Sequence, residues 1–177
     1  MALHPDLPKR IYFDALDYLE AAKLINSRVG SYGHSAILMS TLSFELLLKC
    51  IVLIDTGWLV PGHKYQDIWI EMSNARRNDL VEIAIIRQSG HADFSGLATI
   101  LSDLQIAFTK VRYGYEIGKE LGDDELYTRG RIWIDSGGKD TDADFRFRPW
   151  ERDGLIFAMA SQIQKELDLQ EQDVLAS

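Results

Sequence analysis

One cysteine in 177 residues excludes an internal disulfide. Cys50 sits in an apolar helical run, so it reads as a small buried hydrophobe rather than a nucleophile. Such a chain suits a reducing compartment, and a cytoplasmic location is expected. The four histidines and Cys50 form no cluster with zinc-ligand spacing, so neither a metal nor a cofactor is expected. There is no phosphate-loop glycine pattern, no nucleophile elbow, no internal repeat and no low-complexity linker. The first ten residues carry Pro5, Asp6 and Pro8 and lack the apolar region of a targeting segment. The longest apolar stretch, 36–54, is interrupted by Glu45 and Lys49. Each charge at a bilayer centre would cost roughly 2.5–3.5 kcal/mol, so no membrane span is expected. Basic charge is also in deficit: 19 Lys and Arg against 27 Asp and Glu leave a formal net charge of −8. An acidic surface repels nucleic acid at long range, so binding it would need a local basic patch or a dimer groove.

What is present is an ordinary globular composition, 46% apolar and 26% charged, at a length that fits one domain over residues 1–177. Tyr12, Leu16, Leu19 and Lys23 trace one face of a first helix over 9–28. Gly30 and Gly33 bracket a short break. A second helix, 34–54, is apolar nearly all round, which places it centrally in a bundle, with Glu45 and Lys49 spaced for an ion pair. A third helical region spans 65–87, with a possible break near Asn78.

The fourth helix has the clearest pattern. Phe94, Leu97, Leu101, Leu104, Phe108, Val111 and Tyr115 repeat in steps of three and four, with Asp93 as a plausible N-cap. That stripe reads as packing along the whole helix or as a dimer seam. Periodicity fails over 118–149, where 131–135 alternates like a short strand or hairpin. A last helix is expected from Pro149, with Leu155, Met159, Ile163 and Leu167 on one face. The expected fold is therefore all-α: an up-and-down bundle of four core helices over 9–116, then an extension over 117–177 ending in another helix.

Four local patterns occur in order over residues 9–116. They are 17–22 (Asp-Tyr-Leu-Glu-Ala-Ala), 43–49 (Ser-Phe-Glu-Leu-Leu-Leu-Lys), Gly62-His63-Lys64 and Arg112-Tyr113-Gly114-Tyr115-Glu116. In that order they resemble the HEPN family of small helical bundles. The resemblance implies a homodimer that binds RNA or a nucleotide in a toxin–antitoxin or antiviral defence system. A nucleotidyltransferase would be a candidate partner. Active members of the family are metal-independent endoribonucleases, with an arginine followed after four to six residues by a histidine on a late helix. No histidine follows Arg112 here, so a non-catalytic module is the leading expectation. Endoribonuclease activity from a rearranged site is the alternative, and a purely structural subunit of a larger complex is a third reading.

Candidate catalytic residues are Arg28, His34, Arg112 and Glu116; candidate ligand-binding residues are Arg112, Tyr113, Tyr115 and His63. Arg112 and Glu116 are four apart and read first as a helix-end ion pair. In the functional reading Arg112 holds phosphate, Tyr113 or Tyr115 stacks on a base, and Glu116 acts as a base if burial raises its pKa. Arg28 and His34 match the family spacing but fall in the first interhelix break, where a chance match is the simpler reading. His63 reads first as a cap or an interhelix hydrogen bond, and Arg87 with His91 misses the spacing. Asp140, Asp142, Asp144 and Glu151 resemble a calcium loop only loosely, since Phe145 replaces the turn glycine. Arg129, Arg131, Arg146, Arg148 and Arg152, interleaved with Trp133 and Trp150, suggest a partner surface.

Overall fold

The computed structural model describes residues 3–29, 34–113, 118–137 and 146–167. Among these residues the chain is all-helical. The order is α1 (Leu7–Val29), α2 (His34–Thr56), α3 (Tyr65–Ile70), α4 (Asn74–Arg87), α5 (Leu97–Arg112), α6 (Asp123–Asp135) and α7 (Pro149–Glu166).

α2 is the axis of the bundle, with α1, α3, α5 and α7 packed against it. It is long and apolar enough to cross a membrane by length and composition, yet 67% of its most apolar window is buried within the protein. Enclosure by neighbouring helices accounts for an apolar surface on every side. Phe44, Leu47, Leu48 and Ile51 are fully buried there.

α7 changes the expected division of the chain. It does not extend a finished bundle. Leu155, Ile156, Ala158, Met159, Ala160 and Ile163 all enter the same core as α2, and α7 lies between α2 and α4. Pro149 stands in its first turn as expected, where a missing N–H costs nothing. Gly154 permits the close approach to α4. A Cβ there would come within 2.9 Å of Gln88 Cγ, 3.1 Å of Phe94 Cζ and 3.2 Å of the Ala84 carbonyl oxygen.

Three further expectations are corrected. Residues 131–135 belong to helix α6 rather than to a strand. Asp123, Asp124 and Glu125 fill its first turn, where the helix dipole favours acidic groups. The Gly122 amide donates to Glu125 at 2.9 Å. Five alternating residues were too short a run to tell the two periods apart. The third helical region breaks at 71–73 rather than near Asn78. Ser73 caps α4 by accepting the Arg76 amide, while its own N–H donates to Asp55 Oδ2 at 2.8 Å. Asp93 caps a turn instead of α5: its Oδ1 accepts the Ser95 amide at 2.9 Å, and Gly96 precedes the helix. That hydrogen bond holds the Asp93 carboxyl below its usual range.

The stripe on α5 packs inward. Leu101, Leu104, Phe108 and Val111 are buried within the chain itself, as is Phe94 before the helix, and Leu97 is partly buried, so over the described residues this face is core and not a seam left open for a second copy. Large exposed apolar side chains lie elsewhere, notably Tyr127, Ile132 and Ile134 on α6. Arg76 clamps α2 to α7 through Asp55 and Glu166. Arg148 ties the start of α7 to Asp103 on α5 at 3.0 Å.

Two outcomes follow from this packing. Burial pushes the Cys50 thiol from 9.0 up to about 12. Its folded pKa lies above the unfolded one, so its stabilisation is complete below pH 9 and is lost as pH rises toward 12. Denaturation midpoints should fall across that window, and less so in Cys50→Ala measured against its own neutral-pH value. An identical alkaline profile in both proteins would contradict the buried thiol. The second outcome concerns Gly154→Ala. In an open helix this change stabilises by roughly 1 kcal/mol. Here it should lower the thermal midpoint, because the Ala84 carbonyl is backbone and cannot give way.

Candidate functional site

Three charged side chains are buried among the described residues, Glu45, Arg152 and Glu151, the last beside Arg148 at 3.9 Å, and the first two are satisfied differently. The first is Glu45 on α2, 5% exposed. Its Oε1 accepts from Lys49 Nζ at 2.9 Å and lies 2.7 Å from His63 Nδ1. Its Oε2 accepts the Tyr65 hydroxyl at 3.4 Å. The short loop before α3 delivers His63, while Tyr65 opens that helix. Burial and the neighbouring carboxylate push the Tyr65 hydroxyl far above its usual pKa. His63 is thus an interhelix hydrogen-bond partner that remains exposed at its outer edge.

The second is Arg152 on α7, 4% exposed. Its Nη1 donates to Ser40 Oγ of α2 at 2.7 Å, and that hydroxyl donates onward to the Ile37 carbonyl at 2.9 Å. Its Nε and Nη2 both reach Asp153 Oδ1 at 2.8 Å. The guanidinium also lies 5.0 Å from the centre of the Phe147 ring.

Arg152 forms part of the wall of a cleft of about 290 Å³ between α1, α2, α4 and α7. α1 contributes Lys23 and Asn26, α4 contributes Arg87 and Gln88, and α7 contributes Asp153 and Phe157 beside Arg152. The Arg87 guanidinium stacks 4.5 Å over the Phe157 ring, a cation–π arrangement. Asn26 Oδ1 is buried and has no hydrogen-bond partner among the described residues. A buried amide in that state needs an explanation, and a ligand group is one. Among the described residues, three cations and one carboxylate line this cleft, in a chain whose formal net charge is −8. Guanidinium groups in a partly desolvated cleft suit an oxyanion. No histidine lines it.

The other candidates scatter. Arg112 and Tyr113 are exposed at the end of α5, with the guanidinium 5.4 Å from the Tyr113 ring and 6.0 Å from that of Phe108. Tyr115 and Glu116 lie outside the described residues, as do Asp140, Asp142 and Asp144. His34 is exposed at the start of α2; Arg28 belongs to α1, and its side chain is outside the described set. His91 stacks on Trp150 at 5.1 Å. No group of three potential metal ligands occurs among the described residues.

Sequence reasoning missed Arg152, Arg87 and Asn26 as members of one site. A signal was present: Arg152 continues the Leu155, Met159 and Ile163 stripe one step toward the N-terminus, and Lys23 ends the apolar face of the first helix. A charge on a buried stripe must have a partner or a ligand. Comparison with protein-family models, with curated proteins and with solved structures finds no match.

Glu45 and His63 can be separated by mutation. Breaking a buried pair leaves Lys49 uncompensated, so Glu45→Ala should cost about 3 kcal/mol in denaturant unfolding. His63→Ala removes a largely exposed partner and should cost less than about 1 kcal/mol. Equal losses would place the energy in the histidine rather than in the carboxylate hub.

Proposed function

We propose that this chain is a HEPN-like, non-catalytic module that binds a phosphate-bearing ligand, RNA or nucleotide. In this reading it works as a cytoplasmic homodimer in a toxin–antitoxin or antiviral defence system, with a nucleotidyltransferase as candidate partner. The observation that carries the binding role is the histidine-free basic cleft built from Lys23, Arg87 and Arg152. Metal-independent cleavage by 2′-hydroxyl attack needs both proton transfer and stabilisation of phosphate charge. The cleft supplies groups for the second task only. Glu45 and His63, the nearest approach to an acid–base pair, do not line it. The motive for a homodimer is the family resemblance together with the exposed apolar side chains of α6, since the α5 stripe is occupied within the chain.

The reading is tested by fluorescence anisotropy with labelled RNA and labelled nucleotide, with chelator present and at several salt concentrations. Binding that weakens as salt rises is expected, with no cleavage of structured or single-stranded RNA. Cleavage by the wild type that is lost in folded Arg112→Ala and His34→Ala would make the protein an endoribonuclease instead. Absence of binding to either probe would leave the structural-subunit reading. Light scattering should give about twice the 20.1 kDa chain mass. A monomer at micromolar concentration would remove the dimer from the proposal.

A further inference from the structure

We infer that the cleft between α1, α2, α4 and α7 takes a compact phosphomonoester, one nucleotide in size, and that Asp153 holds the ligand's place on Arg152 in the free protein. This inference rests on the binding role proposed above and narrows it to one site, one ligand class and one exchange.

The placeholder role comes from the geometry of neighbouring residues. Residues i and i+1 on a helix point about 100° apart and do not naturally face each other. Asp153 nevertheless reaches round so that one oxygen meets both Nε and Nη2 of Arg152 at 2.8 Å. That is the edge of a guanidinium that recognises phosphate through two parallel hydrogen bonds. Two donors converging on one carboxylate oxygen is a poorer match than two oxygens of a phosphate. The Asp153 side chain is 46% exposed, so it can return to water without a large desolvation cost, whereas Arg152 cannot. Ser40 holds the far end of the guanidinium and keeps its orientation during the exchange.

Charge sets the ligand class. Once Asp153 swings out, Lys23, Arg87 and Arg152 line the cleft. A phosphomonoester carries about −1.5 to −2 at neutral pH, whereas each diester of a strand carries one charge. Size agrees. About 290 Å³ falls just below the usual range of ligand pockets, roughly 300 to 1,000 Å³. That accommodates one small molecule and not a run of nucleotides. The apolar part of the wall, Leu19, Ile37, Ile156 and Phe157, gives the ligand's uncharged body a surface to cover. The unpartnered Asn26 Oδ1 is an acceptor, so it meets a hydroxyl or N–H of the ligand's uncharged body and not the phosphate. The protein's overall acidity disfavours a long polyanion and hardly affects a single nucleotide at a locally basic cleft.

The experiment is isothermal titration calorimetry on the full chain. The probes are adenosine 5′-monophosphate, adenosine, inorganic phosphate, and a short oligoribonucleotide without terminal phosphates. The variants are Arg87→Gln, Arg152→Gln and Asp153→Asn, each checked for folding by circular dichroism. The wild type should bind the monophosphate more tightly than inorganic phosphate, and adenosine hardly at all. Asp153→Asn should bind the monophosphate several-fold more tightly. Arg152→Gln should weaken it about tenfold or more, the worth of one charge-assisted hydrogen bond. If Arg152→Gln fails to fold, Arg87→Gln decides, since Arg87 is exposed and its loss should weaken binding several-fold without unfolding the bundle. Unchanged or weaker binding in folded Asp153→Asn overturns the placeholder role. Binding of the oligoribonucleotide but not of the monophosphate overturns the compact-ligand inference and leaves the proposed binding role standing. If no phosphate-bearing probe binds, both fall together.

Discussion

Everything in this fold follows from one helix that must be covered on all sides. α2 has no polar face to turn to water, so a single helix packed against it would leave most of its surface exposed. α1, α3, α5 and α7 each close part of the circumference. Partial solutions are disfavoured, because an uncovered Leu or Ile side chain forgoes roughly 1.5–3 kcal/mol. The same demand explains why α7 is drawn across the chain to α2 rather than left as an appendage.

A helix enclosed on every side leaves little room for charge, and two of its polar contacts show what such a core tolerates. Glu45 is answered from within by Lys49, His63 and Tyr65, three donors on its two oxygens. That arrangement is closed and reads as architecture: it fixes where the loop before α3 lands and how α3 meets α2. Ser40, lower on the same helix, meets Arg152 of α7. That arrangement is open. One edge of the guanidinium is anchored in the core, while the other faces a cleft and is held by an adjacent, half-exposed carboxylate. The closed and open polar centres sit on one helix yet face different neighbours.

Gly154 connects the packing to the cleft. Its missing side chain lets α7 settle against Ala84, Gln88 and Phe94. Arg152 and Asp153, one turn or less away on the same helix, are thereby brought to the C-terminal end of α4, where Arg87 and Gln88 stand. The basic character of the cleft is thus a product of helix placement. None of its cations is a neighbour of another in sequence.

Much of the architecture was legible in the residues themselves. Periodicity located α1, α2, α5 and α7 closely, because amphipathic spacing and glycine or proline boundaries are local properties. The Glu45–Lys49 pair was legible for the same reason, as was the preference for His63 as an interhelix hydrogen bond. Residues 131–135 were not, since five alternating residues fit two periods. The C-terminal helix was recognised as a helix but not as core, because what covers α2 depends on distant segments. The candidate site was barely legible at all. Lys23, Asn26, Arg87 and Arg152 come from three helices up to 129 positions apart in the numbering. What the sequence alone determined was which segments are helical and which faces are apolar, both short-range consequences of side-chain spacing. What only the tertiary structure decided was which charges meet, because long-range packing around α2 chooses which ends of the helices converge.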